Sequence, residues 1–252
     1  MNQQRVAVVG AGLAGLAVAA RLSSAGREVT VLEADSRWGG QIHTLREGGL
    51  VVELGAEGFV ARSRAVPALC ELLGIGDSLV EQLTTDTYCL EGHELKLLAP
   101  GDAARRLGFQ VPEEELGRGI RSLALGMGQL TDALVARIGE QRIRLGTAVK
   151  AISKAGDQLE LRLADSVQSV DAVVVATSAR SAAQLLQPFD FEPVAGLSEA
   201  LVTSNVSVNL LFRREQFQRF PSGGGLLFPD GFAGIGLRAC SFVDQKFLGR
   251  AP

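Results

Sequence analysis

The sequence predicts an α/β fold with a doubly wound parallel core and a partial β-rich second domain. Near the N-terminus, two short apolar strands flank a helix, over Arg5 to Val9, Leu13 to Ala25 and Glu28 to Leu32. A second strand–helix pair follows later, because the strongly apolar run Asp171 to Ala176 leads into a helical pattern from Ser178 to Leu186. Strands that alternate with helices in this way favour a parallel sheet with right-handed crossovers.

The segments between and after these pairs are predicted to be a mixture of helices and strands. Two further helices are expected over Ser63 to Leu73 and Gln129 to Ile138, each closed by a glycine. A hairpin is expected over Asp86 to Leu98, with its turn at Glu91-Gly92. The remaining strand-like runs are Ile143 to Ser153, Gln158 to Leu163, Thr203 to Phe212, Gly225 to Phe228 and Gly234 to Val243.

Composition excludes several functional classes. Of the 252 residues, 46% are hydrophobic and 21% are charged, which excludes a disordered chain. The net charge of −3 and the single Trp and Tyr predict no nucleic-acid partner, because such surfaces need positive charge and stacking rings. The longest apolar stretch, Leu13 to Ala20, is too short to cross a bilayer, so at most peripheral membrane contact is expected.

The cysteines and histidines give no sign of a metal site. Cys70, Cys89 and Cys240 form no CxxC pair, and no cysteine stands at a metal-ligand spacing from a histidine. An odd number of widely spaced cysteines is typical of a reducing compartment, so we expect a cytoplasmic protein with buried, unreactive thiols. His43 and His93 are interpreted as exposed polar residues; the alternative for His43, which follows a glycine pair, is a position facing a cofactor.

A GxGxxG pattern stands between the first strand and the helix that follows. Its positions are Gly10, Ala11, Gly12, Leu13, Ala14 and Gly15. The first glycine permits a tight turn, the second lets the backbone approach a diphosphate, and the third lets helix and strand pack closely. Glu33 ends the next strand, where its carboxylate can accept from both ribose hydroxyls and would repel the 2′-phosphate of NADP. The pattern predicts a Rossmann-type dinucleotide site; the alternative is glycines that serve only as turns.

A second loop, directly after Glu33, distinguishes between dinucleotides. It contains Ala34, Arg37, Gly39, Gly40 and Gln41. An arginine followed by paired glycines would place a fixed positive charge and a backbone without side chains beside the same diphosphate. Because a nicotinamide site does not need this loop, it favours FAD; the alternative is a surface turn with an unrelated arginine.

The run from Val6 to Gly40 resembles the flavin-dependent amine oxidase superfamily. Glu53 to Phe59 is similar to the segment that passes the flavin in its protoporphyrinogen and coproporphyrinogen oxidase branch. The cofactor positions that this similarity implies are Gly55, Ala56, Glu57 and Gly58. Later stretches that resemble the same branch are Ser122 to Met127, Arg144 to Val149, Arg238 to Ser241 and Phe247 to Pro252. The resemblance further implies that the backbone of Val149 touches the adenine.

The resemblance implies an FAD-dependent oxidoreductase of haem biosynthesis. In that branch a porphyrinogen gives a hydride to the flavin and dioxygen reoxidises it, so no catalytic side chain is assigned. Two alternatives stay open: another amine oxidase relative with an amine or carotenoid substrate, and a non-catalytic FAD-binding fragment that needs a partner chain. Which porphyrinogen would be the substrate is also open.

The resemblance also implies four segments along the chain. These are FAD-binding parts over 1–82 and 122–190, a shortened substrate-domain segment over 83–121, and a truncated β-rich substrate segment over 191–252. Family members are longer and continue into a strand and helix that close over the flavin. We therefore expect little turnover by this chain alone, and self-association or a partner chain that completes the site.

Individual positions depart from the family pattern or suggest a substrate contact. Gln41 stands where a basic residue is usual, Ala56 where proline is usual, and Leu125 where glycine is usual. Arg62 and Arg64 are hypothesised to attract a substrate propionate, with ordinary surface arginines near a helix start as the alternative.

Overall fold

The structure, a computed structural model, describes residues 4–108, 112–113, 118–189, 193–217 and 222–252. The chain divides into two units. The first comprises Met1–His43 and Gly128–Ser207, and the second comprises Thr44–Met127 and Val208–Pro252. Each unit therefore combines an early and a late part of the chain. The four-segment division inferred from the sequence remains a proposal.

The described residues form seven helices and sixteen strands. The helices are α1 (Leu13–Ser24), α2 (Ala65–Leu72), α3 (Asp102–Arg106), α4 (Gly128–Ile138), α5 (Ala179–Leu186), α6 (Pro193–Ser198) and α7 (Val243–Lys246). The strands are β1 (Arg5–Val9), β2 (Glu28–Leu32), β3 (Thr44–Glu47), β4 (Leu50–Glu53), β5 (Phe59–Val60), β6 (Leu79–Glu81), β7 (Thr87–Glu91), β8 (Glu94–Leu97), β9 (Ile120–Leu123), β10 (Ile143–Arg144), β11 (Ala151–Ala155), β12 (Gln158–Arg162), β13 (Val167–Val170), β14 (Ala172–Val175), β15 (Gly225–Leu227) and β16 (Ala239–Ser241).

The first unit is built around a parallel sheet with the strand order β10-β2-β1-β14. Val8 of β1 lies opposite Val31 of β2 on one side and Val174 of β14 on the other. Val6, Ala7, Val8 and Val9 are all buried, which explains why β1 is apolar on both faces instead of alternating. On α1, Leu16 and Ala19 are fully buried at helical spacing. The α/β class predicted from the sequence is confirmed.

An antiparallel sheet contributes to the core of the same unit. Its strand order is β11-β12-β13. Ile152 and Leu161 from this sheet form one hydrophobic cluster with Val9 and Leu32 from the parallel sheet. Because Val9 and Leu32 are the last residues of β1 and β2, this cluster anchors the strand ends that lead into the glycine pattern and into Glu33.

The described residues of the second unit form three sheets. Their strand orders are β3-β4, β5-β9-β6 and β16-β15-β7-β8. Cys70, Leu123 and Phe247 are fully buried in this unit. β5 pairs antiparallel with β9, and Phe59 lies opposite Arg121. This pairing fixes the chain that follows Gly58 against β9.

The prediction of a strand over Thr203 to Phe212 is wrong. Val206, Val208 and Leu210 alternate as strand residues do, yet they are 91%, 73% and 70% exposed and no strand forms. Alternation produces a strand only where a neighbouring strand supplies hydrogen bonds. No strand of the described residues pairs with this segment.

Smaller corrections concern the run 234–243, the hairpin, a thiol and a histidine. Only β16 is a strand within that run, and Val243 already begins α7. The hairpin turn falls at Gly92-His93, because Glu91 still pairs with Glu94. Cys240 is exposed, since β16 is an edge strand, and His43 is half-buried.

None of the described helices is both long and apolar enough to cross a membrane. Among the described residues, no group of three or more His, Cys, Asp or Glu side chains could hold a metal ion.

Candidate dinucleotide site

Gly10 and Gly15 are required by the packing of the loop itself. Gly10 has a φ of +104°, and a Cβ added to it would lie 2.6 Å from the carbonyl oxygen of Ala176. A Cβ added to Gly15 would overlap the carbonyl oxygen of Gly10. Both positions therefore exclude side chains, one at the turn after β1 and one where α1 meets that turn.

Gly12 is different, because a Cβ added there meets no atom within 4 Å. Packing does not demand a glycine here, so the missing side chain leaves a free approach to the backbone. The first hydrogen bond of α1 runs from the N–H of Leu16 to the carbonyl of Gly12, at 3.0 Å. The N–H groups of the preceding residues point out of the helix start, as in anion sites. This cradle fits the diphosphate of a dinucleotide.

The paired-glycine loop is attached directly to this cradle. The N–H of Gly39 donates to the carbonyl of Ala11 at 2.8 Å, and Gly39 forms a parallel bridge with Gly12. A Cβ on Gly40 would lie 3.1 Å from the Cα of Gly12, and Gly40 has a φ of +57°. The two glycine loops predicted from the sequence therefore lie together, backbone against backbone.

Arg37 holds the second loop in shape. Its Nη1 donates to the carbonyls of Trp38 at 3.2 Å and Ile42 at 3.1 Å, and its Nη2 donates to the carbonyl of Gly40 at 2.7 Å. The guanidinium thus orders the loop as well as bringing a positive charge to it. The sequence predicted only the charge of Arg37. Every residue has a backbone carbonyl, so a sequence pattern does not indicate which carbonyls a guanidinium will contact.

Glu33 connects the strand end to the first loop. Its Oε2 accepts from the N–H of Ala11 at 2.6 Å, and its Oε1 accepts from the N–H of Asp35 at 2.9 Å. A carboxylate can accept about four hydrogen bonds, so acceptor capacity remains for a ribose. Glu33 is half-buried, whereas the neighbouring candidates Ala34 and Gln41 are exposed.

Val149 lies after β10, in the chain that borders Glu33. The N–H of Thr147 donates to the carbonyl of Glu33 at 2.6 Å, which holds this chain beside the strand end. Val149 is half-buried and packs against the hydrophobic cluster. Its place beside the acid is compatible with the adenine contact that the family resemblance implies.

The candidates Gly55 to Gly58 belong to the second unit and are described there. Gly55 and Ala56 are exposed, and a Cβ on Gly58 would overlap the carbonyl oxygen of Arg121. The carboxylate of Glu57 accepts from Nζ of Lys246 at 2.7 Å and from Oγ of Ser241 at 3.0 Å. Its side chain is thus held within the protein, and the flavin contact of this segment stays a prediction from the family resemblance.

Sequence reasoning missed a buried ion pair between Glu53 and Arg250. The Oε1 of Glu53 lies 3.7 Å from Nη1 of Arg250, and both side chains are almost fully buried. Glu53 also accepts from the hydroxyl of Thr44 and from the N–H of Met127, each at 2.6 Å. Burial raises the pKa of Glu53, while these hydrogen bonds and the charges of Arg250 and Arg46 lower it by less.

The model of the family described as "Flavin containing amine oxidoreductase" matches residues 13–109 and 88–252. The chain belongs to this family. Membership of the flavin-containing amine oxidoreductases makes FAD its cofactor, and the cradle at Gly12 fits that group.

The curated relatives of this chain include oxidases that are named for different substrates. Over 118 residues it is 40% identical to an L-amino-acid oxidase of Mus musculus, covering 45% of this chain and 19% of the relative. Over 192 residues it is 31% identical to a coproporphyrinogen III oxidase of Mycobacterium tuberculosis (strain CDC 1551 / Oshkosh), covering 73% and 39%. Over 75 residues it is 44% identical to protoporphyrinogen oxidase 2 of Arabidopsis thaliana, covering 30% and 15%. The matched stretches span less than half of each of these relatives.

Solved structures show the same fold. A crystal structure from Exiguobacterium sp. 255-15, described as "Putative protoporphyrinogen oxidase", superposes with a TM-score of 0.75 and 21% identity, over 100% of this chain and 75% of that one. Cyclohexylamine oxidase from Brevibacterium oxydans superposes with a TM-score of 0.60 and 16% identity, over 73% and 60%. At these identities the similarity establishes the architecture, and the substrate has to be argued separately.

Proposed function

We propose that this flavin-containing oxidoreductase oxidises a porphyrinogen, with dioxygen as the final acceptor. The main support for this substrate class is the 31% identity to a coproporphyrinogen III oxidase, which extends over 73% of this chain. The segment Glu53 to Phe59 supports the same class, because it is similar to the flavin-passing segment of the porphyrinogen oxidase branch. Haem biosynthesis in the cytoplasm is the setting that follows from this proposal.

The residues of this chain bind and orient, and the cofactor supplies the redox chemistry. The start of α1 and the backbone of Gly12 would hold the diphosphate, and Glu33 would accept from the ribose hydroxyls. Arg37 would keep Gly39 and Gly40 in place, so that their backbone could help to hold the diphosphate. When bound, FAD accepts the hydride from the substrate and passes the electrons to dioxygen.

The test is anaerobic mixing of the FAD-loaded protein with coproporphyrinogen III, protoporphyrinogen IX or an L-amino acid, while the flavin absorbance is followed. Bleaching by a porphyrinogen and not by the amino acid is the expected result. The little turnover expected for this chain alone does not hide it, because one anaerobic turnover can be followed for hours. Absence of bleaching by both porphyrinogens would refute the proposed activity.

A second candidate is oxidation of an amine or amino acid. It is favoured by the 40% identity to the mouse L-amino-acid oxidase over 118 residues. The same experiment separates the two, because bleaching by the amino acid alone would establish this candidate. Bleaching that occurs only after a partner chain is added would instead identify the protein as one part of a composite site.

A further inference from the structure

One buried carboxylate joins two of the places where the chain passes between the units. The chain passes from the first unit into the second after His43 and returns to the first after Met127. The hydroxyl of Thr44 donates to Oε2 of Glu53 at 2.6 Å, and the N–H of Met127 donates to Oε1 of the same carboxylate at 2.6 Å. Glu53 therefore ties the first residue after one passage to the last residue before the other.

Two further observations show that the stretches 44–46 and 125–127 are packed against each other. The Nε of Arg46 donates to the carbonyl of Leu125 at 2.6 Å. Gly126 has a φ of +82°, and a Cβ added to it would overlap the methyl carbon of Thr44 and lie 2.7 Å from Oε1 of Glu53. A glycine at 126 is thus required both by its backbone conformation and by this close approach.

These residues form a cluster that lies wholly within the second unit, and we call it the junction clasp: Thr44, Arg46, Glu53, Gly126 and Met127. Arg250 anchors it from the interior, with Nη1 3.7 Å from Oε1 of Glu53. Its Nη2 donates to the hydroxyl of Ser122 at 2.7 Å and to the carbonyl of Leu123 at 3.2 Å, at the end of β9. Breaking one bond of the clasp would leave a buried donor or charge without its partner, which is costly.

The third passage between the units has no comparable restraint. It falls between Ser207 and Val208. Both residues are exposed, and neither makes a hydrogen bond with a described residue. Within the described residues, the hydrogen bonds that restrain the passages are therefore concentrated in the junction clasp.

We propose that the junction clasp makes the passages after His43 and after Met127 a single joint. While Glu53 holds both donors, the stretches 44–46 and 125–127 move together, and this limits the motion of one unit relative to the other. When one of the two bonds is lost, each passage moves separately. The proposal concerns the conformation of the chain and is independent of its substrate.

The test uses pairs of variants that differ only in hydrogen bonding. Thr44→Val removes the hydroxyl and keeps the shape of the side chain, whereas Thr44→Ser keeps the hydroxyl. Glu53→Leu removes both acceptors, whereas Glu53→Gln keeps an acceptor for Met127 and has an amide that can donate to Thr44. Because both changes at Glu53 remove the charge beside Arg250, their difference isolates the hydrogen bonds. Thr87→Val, at a half-buried threonine in another sheet of the second unit, is the matched control.

Hydrogen–deuterium exchange measures whether the two stretches open together. In Thr44→Val and Glu53→Leu, the amides of both 44–46 and 125–127 should exchange at least about tenfold faster, because a charge-assisted bond is lost and the clasp opens as one. In Thr44→Ser, Glu53→Gln and Thr87→Val, both stretches should exchange as in the parent. Faster exchange in only one stretch would overturn the proposal.

Electron spin resonance between two spin labels measures the motion of the units. One label is placed on Cys240, which is exposed while Cys70 and Cys89 are buried, and the other on Arg27→Cys, at an exposed position of the first unit. The distribution of label-to-label distances should be narrow in the parent and broader in Thr44→Val and Glu53→Leu. It should stay narrow in Thr44→Ser, Glu53→Gln and Thr87→Val.

Three results would overturn the joint. These are a distribution that is already broad in the parent, an unchanged width in Thr44→Val and Glu53→Leu, and faster exchange at the clasp without any broadening. The last result would show that the clasp is a local feature of the second unit. If circular dichroism shows that Glu53→Leu is unfolded, Thr44→Val decides, because it removes one hydroxyl and no buried charge.

Discussion

The N–H of Ala11 donates a 2.6 Å hydrogen bond to Oε2 of Glu33, which joins the glycine loop after β1 to the end of β2. The acid is therefore already held in place by the protein. A group that is fixed in advance loses little conformational entropy when a ligand arrives. The candidate ribose acceptor is thus preorganised by the same loop that would receive the diphosphate.

Replacing Glu33 should weaken FAD binding. Glu33→Ala removes two charge-assisted contacts to the ribose, each about 1.5–3 kcal/mol before water compensates, so a loss of at least about tenfold is expected. Isothermal titration calorimetry of each apoprotein with FAD measures the dissociation constant and therefore this loss of affinity. Glu28→Ala, at the exposed start of the same strand, is the control and should bind as the parent does. An unchanged affinity in Glu33→Ala would show that the ribose is held elsewhere.

Gly12 and Gly15 should respond to substitution in opposite ways. Gly12→Val adds a side chain where a Cβ meets no atom within 4 Å, so the fold should survive while the diphosphate loses its space. Gly15→Ala is the smaller change but overlaps the Gly10 carbonyl, so it should lower the melting temperature sharply. Circular dichroism melts and FAD absorbance after gel filtration separate the two effects. A folded Gly12→Val protein that retains FAD would refute the phosphate cradle.

The buried Glu53 should make stability depend on pH. Its pKa is raised in the folded chain, so the folded state binds this proton more tightly than the unfolded state does. The stability of the parent relative to Glu53→Gln, which does not titrate, should therefore fall as pH rises above the ordinary value of 4.5. Urea denaturation of both proteins between about pH 5 and 8 measures how their free energies of unfolding change with pH.

Arg250 supplies the control for that prediction. Its charge lowers the pKa of Glu53, so Arg250→Met should raise this pKa further and move the loss of stability to higher pH. A slope of the opposite sign in the parent would show that burial does not dominate the pKa of Glu53. An unchanged pH dependence in Arg250→Met would show that the charge of Arg250 does not lower this pKa.

The exposed apolar side chains after residue 207 should promote self-association. Val208 and Leu210 are 73% and 70% exposed and lie in a segment without strand partners among the described residues. Replacing both with Asn should reduce the particle size measured by light scattering at a given concentration. Val167→Asn, at an isolated valine that is 59% exposed, should leave the size unchanged. A parent protein that is monomeric at all concentrations would contradict the prediction.

The sequence predicted best the elements whose signals are local. β1 and β2 have the predicted bounds, because a short apolar run that ends at a glycine or at a charge allows few other structures. The predicted strand from Thr203 failed because a strand needs a neighbour, and the alternation of its residues says nothing about whether a neighbour exists.

The same difference between local and long-range contacts applies to the candidate site. The glycine loops and Glu33 lie together, since all of them belong to one βαβ unit or follow it within eight residues. The bond from Lys246 to Glu57 spans 189 positions, and Arg250 reaches Ser122 across 128. Pairs so far apart carry no spacing signal, and only the fold brings them into contact.

The pairing of β14 with β1 determines when the dinucleotide site can form during synthesis. The N–H of Arg5 bonds to Asp171 across 166 positions, and Ala176 closes the turn at Gly10 by donating to the carbonyl of Val9 at 2.8 Å. During synthesis, β1 therefore has no second neighbour until residues 172–175 of β14 have left the ribosome. Loops closed over such distances form late and slowly. FAD would consequently meet a finished cradle only after β14 has been made, and nascent chains that stop before Ala176 should carry no flavin.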